Sequence, residues 1–359
     1  MPYARRRSRF AALCLLGLLC LGPIPVRAAP FEVVYTDSPG QGFLDAVLGA
    51  GRRGAFQRAA DAWGAELLGD TPVRVETRFR SLGGTQYGAP LAYAAPKWLI
   101  SNFDNAPQAD VWYPSALADS LVQTDLIAAD ADIRVTFNSD IDGAVLGDIS
   151  WHYGPENPPG RDVDFQTVAM HELGHGLGFF SSFRSNGSWG YNDWPVIFDT
   201  LVVNAAGQRL IDLPKSPANV TGAAFFSGPQ ATEAWQESGR GGYVPLFAPS
   251  QWRSGSSLSH LDEATFRGLE ELMTPYYDHA VRQIDLVALS VLADLGWGAI
   301  ALQDQAPDPG SLILLASGAL TILLFTGVRP ARPQAGQPSG GESSSTISRS
   351  WSRSAAASS

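Results

Sequence analysis

Cysteine is almost missing from this 359-residue chain, which has only Cys14 and Cys20. Both lie in an apolar run, residues 10–21, which follows a cluster of arginines at positions 5–9. This order is typical of a secretory signal peptide, and the run is too short for a membrane-spanning helix. We expect a signal peptide over residues 1–28. Its removal leaves no cysteine for disulfides or for metal binding.

Positive charge is also scarce, with 25 lysines and arginines against 35 acidic residues and a net charge of −10. Several of the arginines lie at the two ends of the chain, so the central part is more acidic still. Phosphate backbones would be repelled, which argues against nucleic acid as a partner. Surplus carboxylates could bind Ca²⁺ instead. Residues 140–143, Asp-Ile-Asp-Gly, come nearest to a calcium loop, although so short a segment is more typical of an ordinary turn.

Long apolar runs are absent apart from the N-terminal one and residues 312–328, which are followed by Arg329 and Arg332. Together with the preceding Pro-Asp-Pro-Gly, segment 301–333 resembles the PEP-CTERM sorting tag, which an exosortase-type enzyme processes in Gram-negative-type bacteria. A single-pass anchor is the alternative, since seventeen helical residues span roughly 25 Å. Both predict an exported, extracellular or surface protein that touches the membrane only here. A disordered Ser-rich tail is expected over residues 334–359.

The chain contains one motif with several potential metal ligands close together. Residues 171–179 read HELGHGLGF. His171 and His175 are four residues apart, so both project from one face of a helix and can bind a single Zn²⁺. Glu172 lies beside them as a candidate general base. The opposite face of this helix is apolar. The pattern is typical of zinc peptidases.

The ends of this helix carry recognisable signals. Asp164 or Asp162 is a candidate N-cap, and Gly178 is a candidate exit residue. We therefore predict a helix over residues 165–177.

A catalytic zinc normally has three protein ligands, so a third one is needed. In the compact arrangement it would be a histidine at position 181, where this chain has Ser181. The alternatives from the residues alone are His152, His260, His279, Asp199 and Glu237. Both His152 and His279 are more typical of a surface or hydrogen-bonded imidazole, and Asp199 is more typical of a turn carboxylate.

The surroundings of His260 distinguish it from the others. It lies in Ser-His-Leu-Asp-Glu, followed by Leu-Met-Thr-Pro at 272–275 and by an apolar stretch at 284–297. With the first motif, this ordered set resembles the leishmanolysin-like branch of the metzincins. The resemblance implies that His171, His175 and His260 bind zinc, that Glu172 is the base, and that Met273 is the structural methionine of a Met-turn below the metal.

The same resemblance implies an α+β, zincin-like fold with a mixed sheet, an active-site helix and a smaller, largely irregular C-terminal lobe. It divides the chain into an N-terminal catalytic lobe (29–183), an insertion (184–258) and a closing segment with the third ligand (259–300). The insertion lacks the cysteines that staple it in the protozoan relatives. Periodicity predicts one further helix at 55–68, strands at 31–35, 73–79, 110–113 and 133–137, and a hairpin joining 201–203 to 208–210.

The expected function is a secreted zinc metalloendopeptidase with a protein or peptide substrate. Zinc lowers the pKa of a water molecule and Glu172 accepts its proton. Tyr276 or Tyr277 could stabilise the oxyanion, although core packing is the more ordinary role. Two alternatives remain open: a zinc amidase that acts on a non-peptide or cell-wall amide, and a non-catalytic surface or matrix protein that keeps a metal site for structure alone.

Overall fold

The structure, a computed structural model, describes residues 28–128, 130–143, 145–299, 302, 334–336 and 349–354. Almost all of the expected signal peptide and of the expected sorting segment lies outside the described residues, so both stay predictions. Within the described part of the chain, no helix is long and apolar enough to cross a bilayer. The fold is α+β with a mixed sheet, as expected.

The elements follow one another from an N-terminal strand to short strands near the C-terminus. The described helices are α1 (Gly49–Glu66), α2 (Ser115–Val122), α3 (Phe165–Leu177), α4 (Pro229–Glu237), α5 (Glu263–Phe266) and α6 (Leu286–Leu295). The described strands are β1 (Phe31–Tyr35), β2 (Leu67–Leu68), β3 (Val73–Arg80), β4 (Gly88–Pro96), β5 (Leu99–Ser101), β6 (Tyr113–Pro114), β7 (Ile133–Asn138), β8 (Trp151–His152), β9 (Val163–Asp164), β10 (Val202–Val203), β11 (Ala224–Phe226), β12 (Val244–Leu246), β13 (Gly298–Ala299), β14 (Gln334–Gly336) and β15 (Arg349–Ser354).

The main sheet has the strand order β1-β3-β7-β4-β15. Strands β1, β3 and β7 are parallel, whereas β4 runs antiparallel to β7 and β15 runs antiparallel to β4. Along β3 every second residue, beginning with Val73, is buried, as expected for a strand with one face on the core. Helix α1 lies between β1 and β3 in sequence, which gives the connection that parallel neighbours need.

The core beneath α3 is built from aromatic side chains. Phe137 of β7 and Phe165, the first residue of α3, have ring centroids 4.4 Å apart, and Phe43, Phe56 and Phe79 surround them. Helix α3 packs against α1, β4 and β7, and all of its residues are buried. The first two histidines of the candidate motif therefore lie on a fully buried helix.

The predicted limits of α3 are confirmed. The Asp164 side chain accepts a hydrogen bond from the Thr167 N–H (3.1 Å), as an N-cap does, and Gly178 ends the helix with a φ of 131°. Such a φ suits glycine, because it has no Cβ.

Other predicted limits are wrong in part. Helix α1 begins at Gly49 rather than at 55, because its first turns bury Arg52 in an ion pair with Asp142 instead of an apolar side chain. The strand predicted at 110–113 fails at Asp110, whose φ is 58°, and only Tyr113 belongs to β6.

The region after α3, residues 178–299, is largely irregular, with short strands and single helical turns. The predicted turn near Gly207 is present, and the Asn204 N–H donates to the Gln208 carbonyl. The predicted hairpin is reduced to one bridge between Val203 and Arg209, because β10 pairs with β11 instead. Helices α4 and α6 pack together in this region.

Candidate metal site

Three imidazoles meet at one point. The Nε2 atoms of His171 and His175 are 3.0 Å apart, and the Nε2 atom of His260 lies 3.2 Å from each. A tetrahedral metal with Zn–N bonds of ~2.0–2.1 Å separates its ligand atoms by roughly 3.3 Å, close to these distances. The three histidines could hold a metal ion, and they form the one such group in the described part of the chain.

The other ring nitrogen of each histidine contacts a main-chain carbonyl oxygen. Nδ1 of His171 lies 2.8 Å from Leu272 O, Nδ1 of His175 lies 2.7 Å from Phe179 O, and Nδ1 of His260 lies 2.9 Å from Ser256 O. A carbonyl oxygen only accepts, so each Nδ1 carries the hydrogen and each neutral Nε2 presents a lone pair. Three lone pairs that face one another call for a cation between them.

Burial keeps the ring of His171 in the form that binds a metal. All three side chains are buried, and desolvation lowers the pKa of His171 to about 3. The imidazole of His171 is therefore neutral near pH 7, as a metal ligand must be.

Glu172, next to His171 in the sequence, is a fully buried carboxylate. Neither of its carboxylate oxygens has a hydrogen-bond partner among the described residues, and burial raises its pKa well above the usual range. A buried carboxyl group without a partner costs stability. Such a cost is typical of a group that has a function in the site.

His260 is placed by an irregular loop rather than by a helix. Its carbonyl accepts from the Phe247 N–H at 2.8 Å, and the next residue, Leu261, donates its N–H to Met273 O at 2.9 Å. The Ser259 hydroxyl accepts from the Ser181 N–H at 3.0 Å. Ser181, which occupies the position of the third histidine in the compact motif, thus helps to hold the loop that carries His260.

Met273 lies against the helix that carries the first two histidines, and its assignment to a Met-turn stays a prediction. It is completely buried, and a Cβ added to Gly174 would lie 2.8 Å from its Sδ. A glycine at position 174 therefore allows this side chain to approach α3 closely. Contact with the backbone of α3 suits a supporting role.

The structure does not bring the other candidate ligands to the cluster. Asp199 accepts hydrogen bonds from the N–H and hydroxyl of Ser182, and Glu237 is exposed at the end of α4. His152 contacts the Glu156 carbonyl through Nε2 at 2.9 Å, and His279 pairs with Asp278.

The carboxylates of the candidate calcium loop bind protein groups. Asp140 accepts from the Ser81 hydroxyl and the Gly83 N–H, and Asp142 pairs with Arg52. No group that could hold a cation is found here among the described residues.

The two candidate tyrosines have structural contacts. The Tyr277 hydroxyl accepts from the Asp164 N–H at 3.0 Å, next to the start of α3. The ring of Tyr276 packs edge-on against Phe247, with centroids 6.1 Å apart. The structure thus favours the packing role for Tyr277 and gives Tyr276 an aromatic neighbour.

Sequence reasoning missed the groups that orient the imidazoles. They are the carbonyls of Leu272, Phe179 and Ser256 and the hydroxyl of Ser259. Main-chain carbonyls leave no signal in a sequence because every residue has one. The serine next to His260 was visible, but its partner at Ser181 depends on the fold. A comparison of the chain with family models, curated proteins and solved structures finds no match.

Proposed function

We propose that this protein is a zinc-dependent metalloendopeptidase with a metzincin-like catalytic unit, acting on protein or peptide substrates outside the cytoplasm. The observation that carries the proposal is a three-histidine cluster next to a buried carboxylate that has no hydrogen-bond partner among the residues the structure describes. Three neutral nitrogen ligands leave a fourth position for a water or substrate oxygen, as in catalytic zinc sites, whereas structural sites are closed by four protein ligands.

The proposed reaction assigns a separate role to each residue of the site. His171, His175 and His260 hold the cation, which when bound supplies Lewis acidity toward a carbonyl oxygen and lowers the pKa of a coordinated water. Glu172 accepts a proton as water attacks the scissile carbonyl, and it returns this proton to the leaving amine. Water and amide thus become a carboxylic acid and an amine. Met273 supports the helix from below.

The pKa of Glu172 gives this role a physical basis. Burial raises it in the metal-free protein, and a nearby dication lowers it by favouring the charged form. Because burial and a bound cation act on this pKa in opposite directions, a carboxyl group at this position is suited to take up a proton and return it. A structural metal site would have no use for a buried carboxyl group that destabilises the fold.

The test compares the full chain with Glu172→Gln, which keeps the side-chain shape and removes the base. We expect the variant to retain one zinc per chain by elemental analysis and to lose roughly 10²–10⁴-fold in the rate of casein or peptide hydrolysis. Glu237→Gln, on an exposed glutamate, is the matched control and should leave the rate unchanged.

Two outcomes would replace the proposal. Zinc binding with hydrolysis of an acylated or cell-wall amide, but of no peptide, would make the protein a zinc amidase. Stoichiometric zinc with no turnover of any amide would make it a non-catalytic metal-binding protein.

A further inference from the structure

Without its last strand, β15, the main sheet would end at β4, and the sequence of β4 is that of an edge strand. Pro90 and Pro96 lie within β4, and proline is largely confined to edge strands because it lacks an N–H for the ladder. On its other side β4 pairs with β7, and helix α3 packs against it. The edge therefore runs along the same helix that carries His171 and His175.

In the structure β4 is covered by β15, which lies in residues 334–359, where we expected a disordered tail. β15 pairs antiparallel with β4 over its whole length, from Arg349 opposite Ala94 to Ser354 opposite Gly88. The register shifts between Trp351 and Ser352, and β15 also lies against α3.

A second stretch of the tail pairs with β5, a strand of a different sheet. β14 pairs antiparallel with β5, with Gln334 opposite Ser101 and Gly336 opposite Leu99. β5 follows β4 directly in the chain. Two separate stretches of the C-terminal region thus pair with strands that are consecutive in the chain, and the β15 pairing is the one that lies against α3.

We propose that β15 is an intramolecular competitor for the β4 edge, where an extended peptide substrate would dock, so that the intact chain limits access to its own metal site. The proposal rests on the proposed function for what docks there. Strand addition binds an extended peptide through main-chain hydrogen bonds, which any peptide sequence can make. The tail and a substrate therefore need the same donors and acceptors of β4.

Tethering gives the tail an advantage over free peptide. A segment linked to its site by a flexible chain acts at an effective concentration on the order of mM. A substrate at micromolar concentration would displace it only with difficulty. Removal of the C-terminal region, which the sorting-tag expectation includes, would expose the edge.

The test uses the full chain with Ser350→Pro, Trp351→Pro and Ser352→Pro combined. Neighbouring residues of a strand direct their N–H groups to opposite sides, so three consecutive prolines remove at least one donor that faces β4. The matched control replaces the same three residues by alanine, which changes the same side chains and keeps every N–H.

Two measurements do not depend on catalysis. We expect hydrogen exchange of the amides in residues 88–96 to be at least tenfold faster in the proline variant than in the alanine control. We also expect a labelled peptide of residues 347–356 to bind the proline variant at least tenfold more tightly than the control. Equal exchange and equal peptide affinity in the two variants would overturn the proposal.

Hydrolysis then separates this proposal from the proposed function. A rise in kcat/KM for peptide substrates of at least tenfold in the proline variant supports it. Unchanged kcat/KM in active variants overturns it, because β4 is then not the substrate edge. If no variant hydrolyses any peptide while exchange and peptide binding differ as expected, the peptidase proposal fails and β15 remains shown as the occupant of β4.

Discussion

The two halves of the candidate metal site are built in different ways. His171 and His175 lie on α3, where helical periodicity alone places them side by side, whereas His260 comes from an irregular loop 85 residues after His175. On the helix side, positions are set by packing against the sheet. On the loop side, they are set by individual hydrogen bonds, such as the one from the Ser181 N–H to the Ser259 hydroxyl.

This difference shows where each half is vulnerable. A helix that is buried on every side tolerates little added volume, because protein interiors are close-packed. A loop held by a few buried hydrogen bonds tolerates added side-chain volume better. It is sensitive to the loss of a single hydrogen bond, because the remaining donor or acceptor stays buried without its partner. The arrangement of the three imidazoles is therefore sensitive to added side-chain volume on α3 and to lost hydrogen bonds in the loop that carries His260.

The largest expected effect comes from removing a ligand on either side. His175→Ala and His260→Ala should each lose zinc almost completely, more severely than the roughly 10–100-fold affinity loss typical of outer hydrogen-bonding partners. Asp199→Asn and Glu237→Ala, at the rejected ligand positions, should keep one zinc per chain. Elemental analysis after dialysis against a weak chelator measures this. If His260→Ala retained zinc, the loop would not contribute a ligand, and the site would not consist of a helix half and a loop half.

A smaller effect is expected from the hydrogen bond that holds the loop. Ser259→Ala leaves the buried Ser181 N–H without its hydroxyl partner, which costs about 1–3 kcal/mol of unfolding free energy. Since His260 is the next residue, zinc affinity should also fall, by roughly 10–100-fold. Competition with a chelating dye measures the affinity.

The matched control is Ser257→Ala on the same loop. The Ser257 hydroxyl accepts from the Arg253 N–H at 2.9 Å, so its loss should destabilise the loop without moving His260 to the same degree. Equal zinc affinities in the two variants would show that general loop stability, rather than this contact, places the third histidine.

The sequence predicted the helix side well because the position of a residue on a helix depends on local signals. Period, an N-cap at Asp164 and an exit at Gly178 are local signals, and they gave the limits of α3 correctly. His260 was singled out only by resemblance, because nothing local shows that two segments 85 residues apart meet. β4 was not predicted at all, since its prolines and alanines hide a strand pattern. The buried ion pair of Arg52 hid the start of α1 in the same way.

The smallest expected effect concerns volume on the helix side. A Cβ at Gly176 would lie 2.3 Å from Cγ2 of Ile133, near the branch point of a side chain in the central strand β7, which has little freedom to move. Overpacking costs typically about 1–3 kcal/mol, against roughly 1 kcal/mol gained when alanine replaces glycine in a helix. Gly176→Ala should therefore lower the free energy of unfolding by about 1 kcal/mol. Gly54→Ala in α1, where the nearest atom is 3.7 Å away, should raise it instead.

A double-mutant cycle identifies the contact responsible. Ile133→Ala alone should cost about 2–5 kcal/mol through the cavity it leaves. Combined with Gly176→Ala it should cost less than the sum of the two, because the added methyl group then occupies space that the isoleucine vacated. Denaturant unfolding of the four proteins gives the coupling energy, expected at about 0.5–3 kcal/mol. Additive costs would mean that α3 moves away from β7 to accept the methyl group, so that the helix side would be as adjustable as the loop that carries His260.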